Sequence, residues 1–372
     1  MTRLKAVLLK EFIQMRRDSV TLGIMLLLPI VQLLIFGFAI HTDIKHQATA
    51  VFDQSLTEES RSLIDSFTAS EYFDIKYAAQ SFDEINQLVD SGRVKAGIII
   101  PPDLASSLKH EHLTPIQVIV DASDSTAASS AIAAAESIGQ LKSRQLVLKK
   151  YHLSEDSLQL YNMRIRAWYN PDFITAWYML PGIMGVILTM TMVMITSMAI
   201  VRERERGTLE QLLVTPLRSW ELLLGKIIPY ILVGYVQTTV SLLVGTAVFS
   251  LPLRGSLLLL YALTTFFIIA SLTLGLLIST IAKTQMQAMQ MSFIIFMPSV
   301  LLSGFIFPRE SMADLFYAIS SLMPMTYYVQ ILRGILLRGN TLATLWPQVF
   351  ALLILIALTF GLALKKFSRT MN

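Results

Sequence analysis

Few side chains in this sequence are of a type and spacing that could do chemistry. All five histidines, His41, His46, His110, His112 and His152, fall in the first half of the chain. His110, Glu111 and His112 form one run that could offer metal ligands. Two residues apart on a helix they would face different sides, and no HExxH or similar ligand spacing accompanies them. Ser123, Asp124 and Ser125 place a hydroxyl beside an acid, but the pattern is that of a turn and a helix cap rather than a nucleophile with its base. Cysteine is absent, which removes disulfides, cysteine zinc sites, iron–sulfur clusters and thiol nucleophiles together. A phosphate-cradling loop needs G-x-x-x-x-G-K-(S/T), and Gly225-Lys226 continues instead with Ile227. The expectation is therefore no catalytic residue, no metal and no cofactor bound by this chain.

Composition shows what the chain is built for. Its 372 residues are 54% hydrophobic and 15% charged, with a mean hydropathy of +0.59, against roughly 25% charged residues in a soluble domain. A spanning helix needs about 20 apolar residues. Stretches free of Asp, Glu, Lys and Arg meet that requirement at Ser19 to Ile40, Tyr178 to Val201, Ile227 to Leu251, Leu257 to Ala282, Met289 to Phe307 and Leu345 to Leu364. The fifth is interrupted by Pro298, and Leu315 to Met325 is apolar but too short to cross alone, so it reads as re-entrant or interfacial. The apolar stretch of the first exceeds the roughly 7 to 15 residues of a signal-peptide core, and no A-x-A-like site follows it.

The fold class expected is an α-helical polytopic membrane protein, with six transmembrane helices and an inserted extracytoplasmic α/β domain. Residues 1–18 read as a cytoplasmic interfacial amphipathic helix, 19–40 as the first transmembrane helix and 41–176 as the extracytoplasmic domain. Residues 177–372 carry the remaining helices, a cytoplasmic segment at 202–226 and a re-entrant or external segment at 308–344. Orientation rests on the bases beside the spans: Arg3, Lys5, Lys10, Arg16 and Arg17; Arg202, Arg204, Arg206, Arg218 and Lys226; and Lys365, Lys366 and Arg369. The positive-inside rule puts these groups, and both termini, in the cytoplasm. The net charge of +4 is thus segregated along the chain and speaks to orientation, not to nucleic acid.

Within 41–176, strands are expected at Ala48 to Phe52, Phe73 to Ala78, Val94 to Ile100 and Ile116 to Asp121, the later two as runs buried on both faces. Ser81 with Glu84 reads as a capping box opening a helix that Gly92 closes. Short and long helices follow through Leu104 to Leu108 and Ala127 to Lys150.

The segment Val201 to Tyr230, VRERERGTLEQLLVTPLRSWELLLGKIIPY, is too ordered for a plain connector. Thr208 and Gln211 make a capping box after Gly207, Leu209, Leu212 and Leu213 give an apolar face, Pro216 stops the helix and Ser219 caps the next. A short amphipathic helix results, suited either to the bilayer surface or to a groove on a soluble partner. On the first helix, Leu4, Leu8 and Met15 share a stripe from which Glu11 projects. Glu11 either snorkels to water or bonds Lys10 or another amino-terminal base, or it pairs with an arginine of the Arg202 to Arg206 cluster.

Glu203, Arg204, Glu205, Gly207, Thr208, Glu210, Leu212, Thr215, Pro216 and Leu217 resemble the E-R-E-x-G-T-x-E-x-L-x-x-(T/S)-P-L pattern in the coupling-helix region of the type-2 ATP-binding-cassette (ABC) exporter permeases. Pro324, Tyr327, Leu332, Arg333 and Gly334 look like the same family's P-x-x-Y and L-R-G pattern. The likeness is nearest to the subgroup with a large external domain after the first span. It implies a permease that does not hydrolyse ATP itself, in a bacterial inner membrane. ATP and Mg would be held by a separate cytoplasmic ATPase subunit, beside a second permease subunit, identical or a related sister, and membrane lipid. The external domain could meet a periplasmic adaptor.

ATPase coupling would fall to Glu203, Arg204, Arg206, Gly207, Thr208, Glu210, Leu212, Leu213, Thr215 and Pro216. The substrate path is expected along Thr189, Met190 and Met194 of the second span and Gln290 and Met297 of the fifth. Flexible methionine surfaces suit an amphipathic or lipid-like export substrate, although methionines also simply fill gaps between helices. The alternative function is a membrane-anchored receptor or assembly factor acting through the external domain.

Overall fold

The computed structural model describes residues 2–39, 45–110, 114–151, 168–172, 174–207 and 219–371. Glu111, His112 and the coupling residues Thr208, Glu210, Leu212, Leu213, Thr215 and Pro216 lie outside them. The chain divides into two compact units, one of residues 1–40 with 166–372 and the other of residues 41–165.

The chain begins with α1 (Thr2–Arg17), whose last turn carries Arg16 and Arg17, a placement that opposes the negative end of the helix dipole. At Asp18 the chain turns by 66° into α2 (Ser19–Ala39).

The second unit is a four-stranded sheet built from β1 (Gln47–Asp53), β2 (Phe73–Ala78), β3 (Ala96–Ile100) and β4 (Gln117–Val120). Its strand order is β2-β1-β3-β4, with β1 parallel to β2 and β3, and β4 antiparallel to β3. Parallel neighbours need crossovers, supplied here by α3 (Glu58–Ala69) and α4 (Phe82–Asp90). Then come α5 (Leu104–Lys109) and α6 (Ser125–Tyr151). Adjacent residues of β1 face opposite ways, as a pleated strand requires. Val51 packs with Phe67, Phe73, Ile98 and Ala131, while Ala50 packs with Ile85, Leu88 and Val94. β3 is almost wholly buried, whereas β4, expected to be buried on both faces, is an edge strand only half-covered. Ser81 Oγ accepts from the Glu84 amide at 3.1 Å, but the Glu84 carboxylate accepts from Gln80 N–H at 2.8 Å, one residue before the expected capping-box donor.

The first unit resumes with α7 (Thr175–Glu205), α8 (Ser219–Phe249), α9 (Leu257–Ile281), α10 (Gln285–Leu302), α11 (Asp314–Ser320), α12 (Pro324–Arg333) and α13 (Leu342–Met371). Among the described residues, five helices are long and apolar enough to cross a membrane: α7, α8, α9, α10 and α13. The number rises to seven if two bent pairs also count, α1 with α2 and α11 with the helix Pro324–Arg338, the latter bent by 82°. The chain is therefore a polytopic membrane protein with five to seven candidate spans.

α7 and α9 approach closely because Gly275 has no side chain; a Cβ there would lie 2.6 Å from Val193 O. In the same unit Tyr328 stacks on Phe267 with ring centroids 3.9 Å apart, and its hydroxyl is 3.1 Å from Thr264 Oγ1, so a buried phenol keeps a polar partner.

Candidate functional site

At the C-terminal end of α7 a run of charged residues meets three neighbouring helices. Successive residues on a helix point about 100° apart, so Arg202, Glu203, Arg204 and Glu205 reach different partners. Arg204 donates from Nη1 to Ala282 O at 3.0 Å, and Arg202 Nε lies 3.4 Å from Gln285 Oε1. The Glu205 carboxylate accepts from the Gln285 backbone N–H at 2.9 Å and from its side-chain amide. These three residues fasten the end of α7 to the turn between α9 and α10.

Glu203 points the other way. Its Oε1 lies 2.6 Å from Lys10 Nζ of α1 and 3.6 Å from Lys226 Nζ of α8. Lys226 Nζ in turn lies 2.9 Å from Glu11 Oε1, which is 3.7 Å from Lys10 Nζ. Side-chain exposure is 3% for Lys226, 6% for Glu11 and 10% for Glu203, while Lys10 closes the cluster at 42%. Two acids and two bases sum to zero. That balance matters because an isolated buried charge costs several kcal/mol, and each of these has an oppositely charged partner in contact. Glu11 thus keeps the expected contact with Lys10, is buried rather than snorkelled to water, and is not paired with an arginine of the Arg202 to Arg206 cluster. Its main partner is Lys226, and the link to α7 runs through lysines to Glu203.

Beyond Glu205, Arg206 caps α7 by donating its backbone N–H to Arg202 O at 3.1 Å, and Gly207 turns the chain at φ +68°. That value lies in the left-handed region that glycine adopts without steric cost. Residues 208–218, which include most of the expected coupling residues and lie outside the described ones, follow Gly207 in sequence and precede α8.

Further along α7 a second polar knot joins the spans. Pro29 inside α2 has no N–H, which leaves the carbonyl of Met25, four residues earlier, without its helical donor. Gln237 of α8, fully buried, donates Nε2 to that carbonyl at 2.8 Å and accepts from Thr191 Oγ1 of α7 at 2.9 Å. One carboxamide thereby satisfies a proline-orphaned group and ties three helices, as a membrane interior demands.

The expected path residues differ in burial. Thr189 lines a small cavity with Ser271, Ser299 and Met325, and its hydroxyl donates to Gly185 O at 2.7 Å. Met190 and Met194 are half-buried, while Gln290 and Met297 are exposed on α10. Of the late motif, Arg333 is held by carbonyls, donating to Gly304 O at 2.9 Å and Phe305 O at 3.2 Å with its guanidinium 3.7 Å over the Tyr178 ring. Tyr327 donates to Ser321 O at 2.8 Å. Tyr327 braces the bend between α11 and α12, while Arg333 ties the end of α12 to the chain just after α10 and to the start of α7.

Sequence reasoning named Lys10 as a partner for Glu11 but missed its tie to Glu203, and it missed Lys226 as a partner of Glu11 and Gln237 altogether. A proline inside a span paired with a lone glutamine inside another was the signal available for Gln237. A lysine just inside an apolar run, with an unmatched acid elsewhere, was the signal for Lys226.

Helices long and apolar enough to cross a bilayer, with a neutral charge cluster binding an amphipathic helix to two of them, define a polytopic membrane protein. Residues 20–365 match the family described as ABC-2 family transporter protein. The chain belongs to that family and is a transporter permease of the ABC-2 type. It is 32% identical over 376 residues to the probable multidrug ABC transporter permease YbhS of Escherichia coli (strain K12), covering 100% of this chain and 98% of the relative. It is 29% identical over 367 residues to the probable multidrug ABC transporter permease YbhR of the same strain, covering 99% and 98%. Identity to the inner membrane transport permease YhhJ of that strain is 31% over 295 residues, covering 78% of this chain and 77% of the relative.

Proposed function

We propose that the chain is the permease subunit of an ATP-driven exporter, moved by a separate cytoplasmic ABC ATPase that binds ATP and Mg. The observation that supports this most is the charge cluster. Glu203 stands just before the 208–218 segment and Lys226 just after α8 begins, and both are held to α1 by Glu11 and Lys10. A push on the segment therefore reaches α7, α8 and α1 together rather than bending one loop. Thr208, Glu210, Leu212 and Leu213 would supply the docking face, an apolar stripe set in register by charge.

In this reading both termini and the segment 202–226 are cytoplasmic, residues 41–176 are external, and six spans operate beside a second permease subunit, identical or related. The membrane is a bacterial inner membrane, as the inner-membrane name of one relative suggests. The substrate is amphipathic, in keeping with relatives named multidrug permeases. The receptor alternative has no use for ionic ties at both edges of a cytoplasmic loop.

The test is a reconstituted permease–ATPase complex in vesicles carrying Glu203→Lys. The account expects ATP hydrolysis to persist while dye efflux per ATP falls at least about tenfold, the scale of losing one buried ion pair. Efflux per ATP equal to that of the unaltered complex contradicts it.

A further inference from the structure

Along α10 a hydrogen-bonding side chain recurs every seven residues, at Gln285, Ser292 and Ser299. Seven residues are close to two helical turns, so the three share a face, and each meets the α7 side of the unit. The first rung joins Gln285 to Arg202 and Glu205. In the second, Ser292 Oγ lies 2.8 Å from Ser197 Oγ. At the third, Ser299 and Thr189 of α7 line a cavity of about 10 Å³ together with Ser271 of α9 and Met325 of α12. We propose that this cavity binds one water molecule, which completes the third rung by bridging the three hydroxyls.

Volume sets the first limit. A buried water needs roughly 10 to 15 Å³ of such space, so the cavity has room for one and not for a larger molecule. The hydrogen-bond inventory sets the second. The Thr189 hydroxyl donates to Gly185 O at 2.7 Å and the Ser299 hydroxyl to Ile295 O at 2.8 Å. Each spends its only proton within its own helix and offers the cavity lone pairs. Ser271 differs: it is 1% exposed, and its buried Oγ has no hydrogen-bond partner among the described residues. A polar atom in that condition is rare in a folded protein and costly in a membrane interior. Water matches the set, donating its two protons to Thr189 Oγ1 and Ser299 Oγ and accepting the one from Ser271. Three partners are the usual number for a buried water. Charge sets the third limit. Among the described residues no acid or base lines the cavity, so a cation there would have no counter-charge.

This rung differs from the other two in what parting α7 from α10 exposes. Thr189 and Ser299 keep their own-helix bonds when the water leaves, and only Ser271 loses its partner. The seam is thus fastened directly at Gln285 and Ser292, and through an exchangeable molecule at Ser299. None of this involves an ATPase, so the assignment stands apart from the coupling reading.

The experiment is X-ray radiolysis of the full-length protein in nanodiscs, in heavy-oxygen water, with methionine oxidation read by mass spectrometry. Radicals form from the water itself, so a buried thioether is converted to labelled sulfoxide quickly only where water lies against it. Met325 is 1% exposed, and Met184 at 1% and Met192 at 0% are matched controls that do not line the cavity. The expected result is Met325 oxidised several times faster than both controls. That excess should vanish in Ser271→Val, which fills the cavity, and shrink in Thr189→Val, which keeps the side-chain shape and removes one acceptor. Met325 as slow as the controls in the unaltered protein overturns the proposal, because the cavity is then dry and Ser271 turned to the carbonyl of Phe267. A Met325 rate that neither variant lowers overturns it as well.

Discussion

Lys226 keeps only 3% of its side chain exposed, and that is tolerable because Glu11 and Glu203 stand within 2.9 and 3.6 Å of its ammonium. Removing one member leaves an uncompensated buried charge, which costs about 3–5 kcal/mol. Lys226→Met should therefore lower the thermal unfolding temperature of the detergent-solubilised protein sharply. The exchange Glu11→Lys with Lys226→Glu should restore part of that loss, because the neighbours Lys10 and Glu203 then face like charges. Full additivity of the two single changes would show that the pair does not interact. Gln237 makes a second residue-scale case. Gln237→Leu orphans the Met25 carbonyl and should cost about 1–3 kcal/mol, more than Thr191→Val, whose hydroxyl also bonds Ile187 O within its own helix; the same unfolding assay ranks them.

At the scale of elements, the contact between α7 and α9 depends on the missing side chain of Gly275. Gly275→Val must push the helices apart against Val193 O, with an overpacking cost of about 1–3 kcal/mol, read as lowered thermal stability with secondary structure retained. In the sheet, Lys95 Nζ donates to Asp121 Oδ2 at 2.7 Å, pinning the start of β3 to the end of β4. The hydrogen bond from Lys95, with those from Ser123, holds the Asp121 carboxyl well below its usual range. A depressed carboxylate contributes stability above its unfolded value of about 3.9 and loses it as pH falls toward the folded value. Asp121→Asn should therefore weaken hydrogen-exchange protection of residues 94–121 at pH 7, and at matched intrinsic rates the difference should begin to shrink only as pH falls below about 4, with much of it remaining near pH 3.

Elements of this kind were legible in the sequence to differing degrees. The apolar runs announced their helices because no charge interrupts them, and the β-branched run Ile98–Ile100 announced β3. Edge position was not legible for β4, since its side chains resemble those of β3 and only pairing order exposes one of them. The bend between α11 and α12 was foreshadowed by the short apolar stretch Leu315 to Met325. Lys226 and Glu11, 215 positions apart, were beyond reach, because nothing local says which distant base answers an unmatched acid.

On the whole-molecule scale, the ABC-2 family match over residues 20–365 makes the chain a membrane permease, and the charge cluster ties α1, α7 and α8 together. The central claim is that these helices receive force from an ATPase through residues 202–226. Its most direct test is gentle co-purification from the native membrane, with and without Glu210→Lys, followed by identification of the associated chains. The account predicts an ABC ATPase subunit recovered with the unaltered protein and lost on charge reversal. Recovery of external partners alone, with no ATPase in either sample, would contradict it.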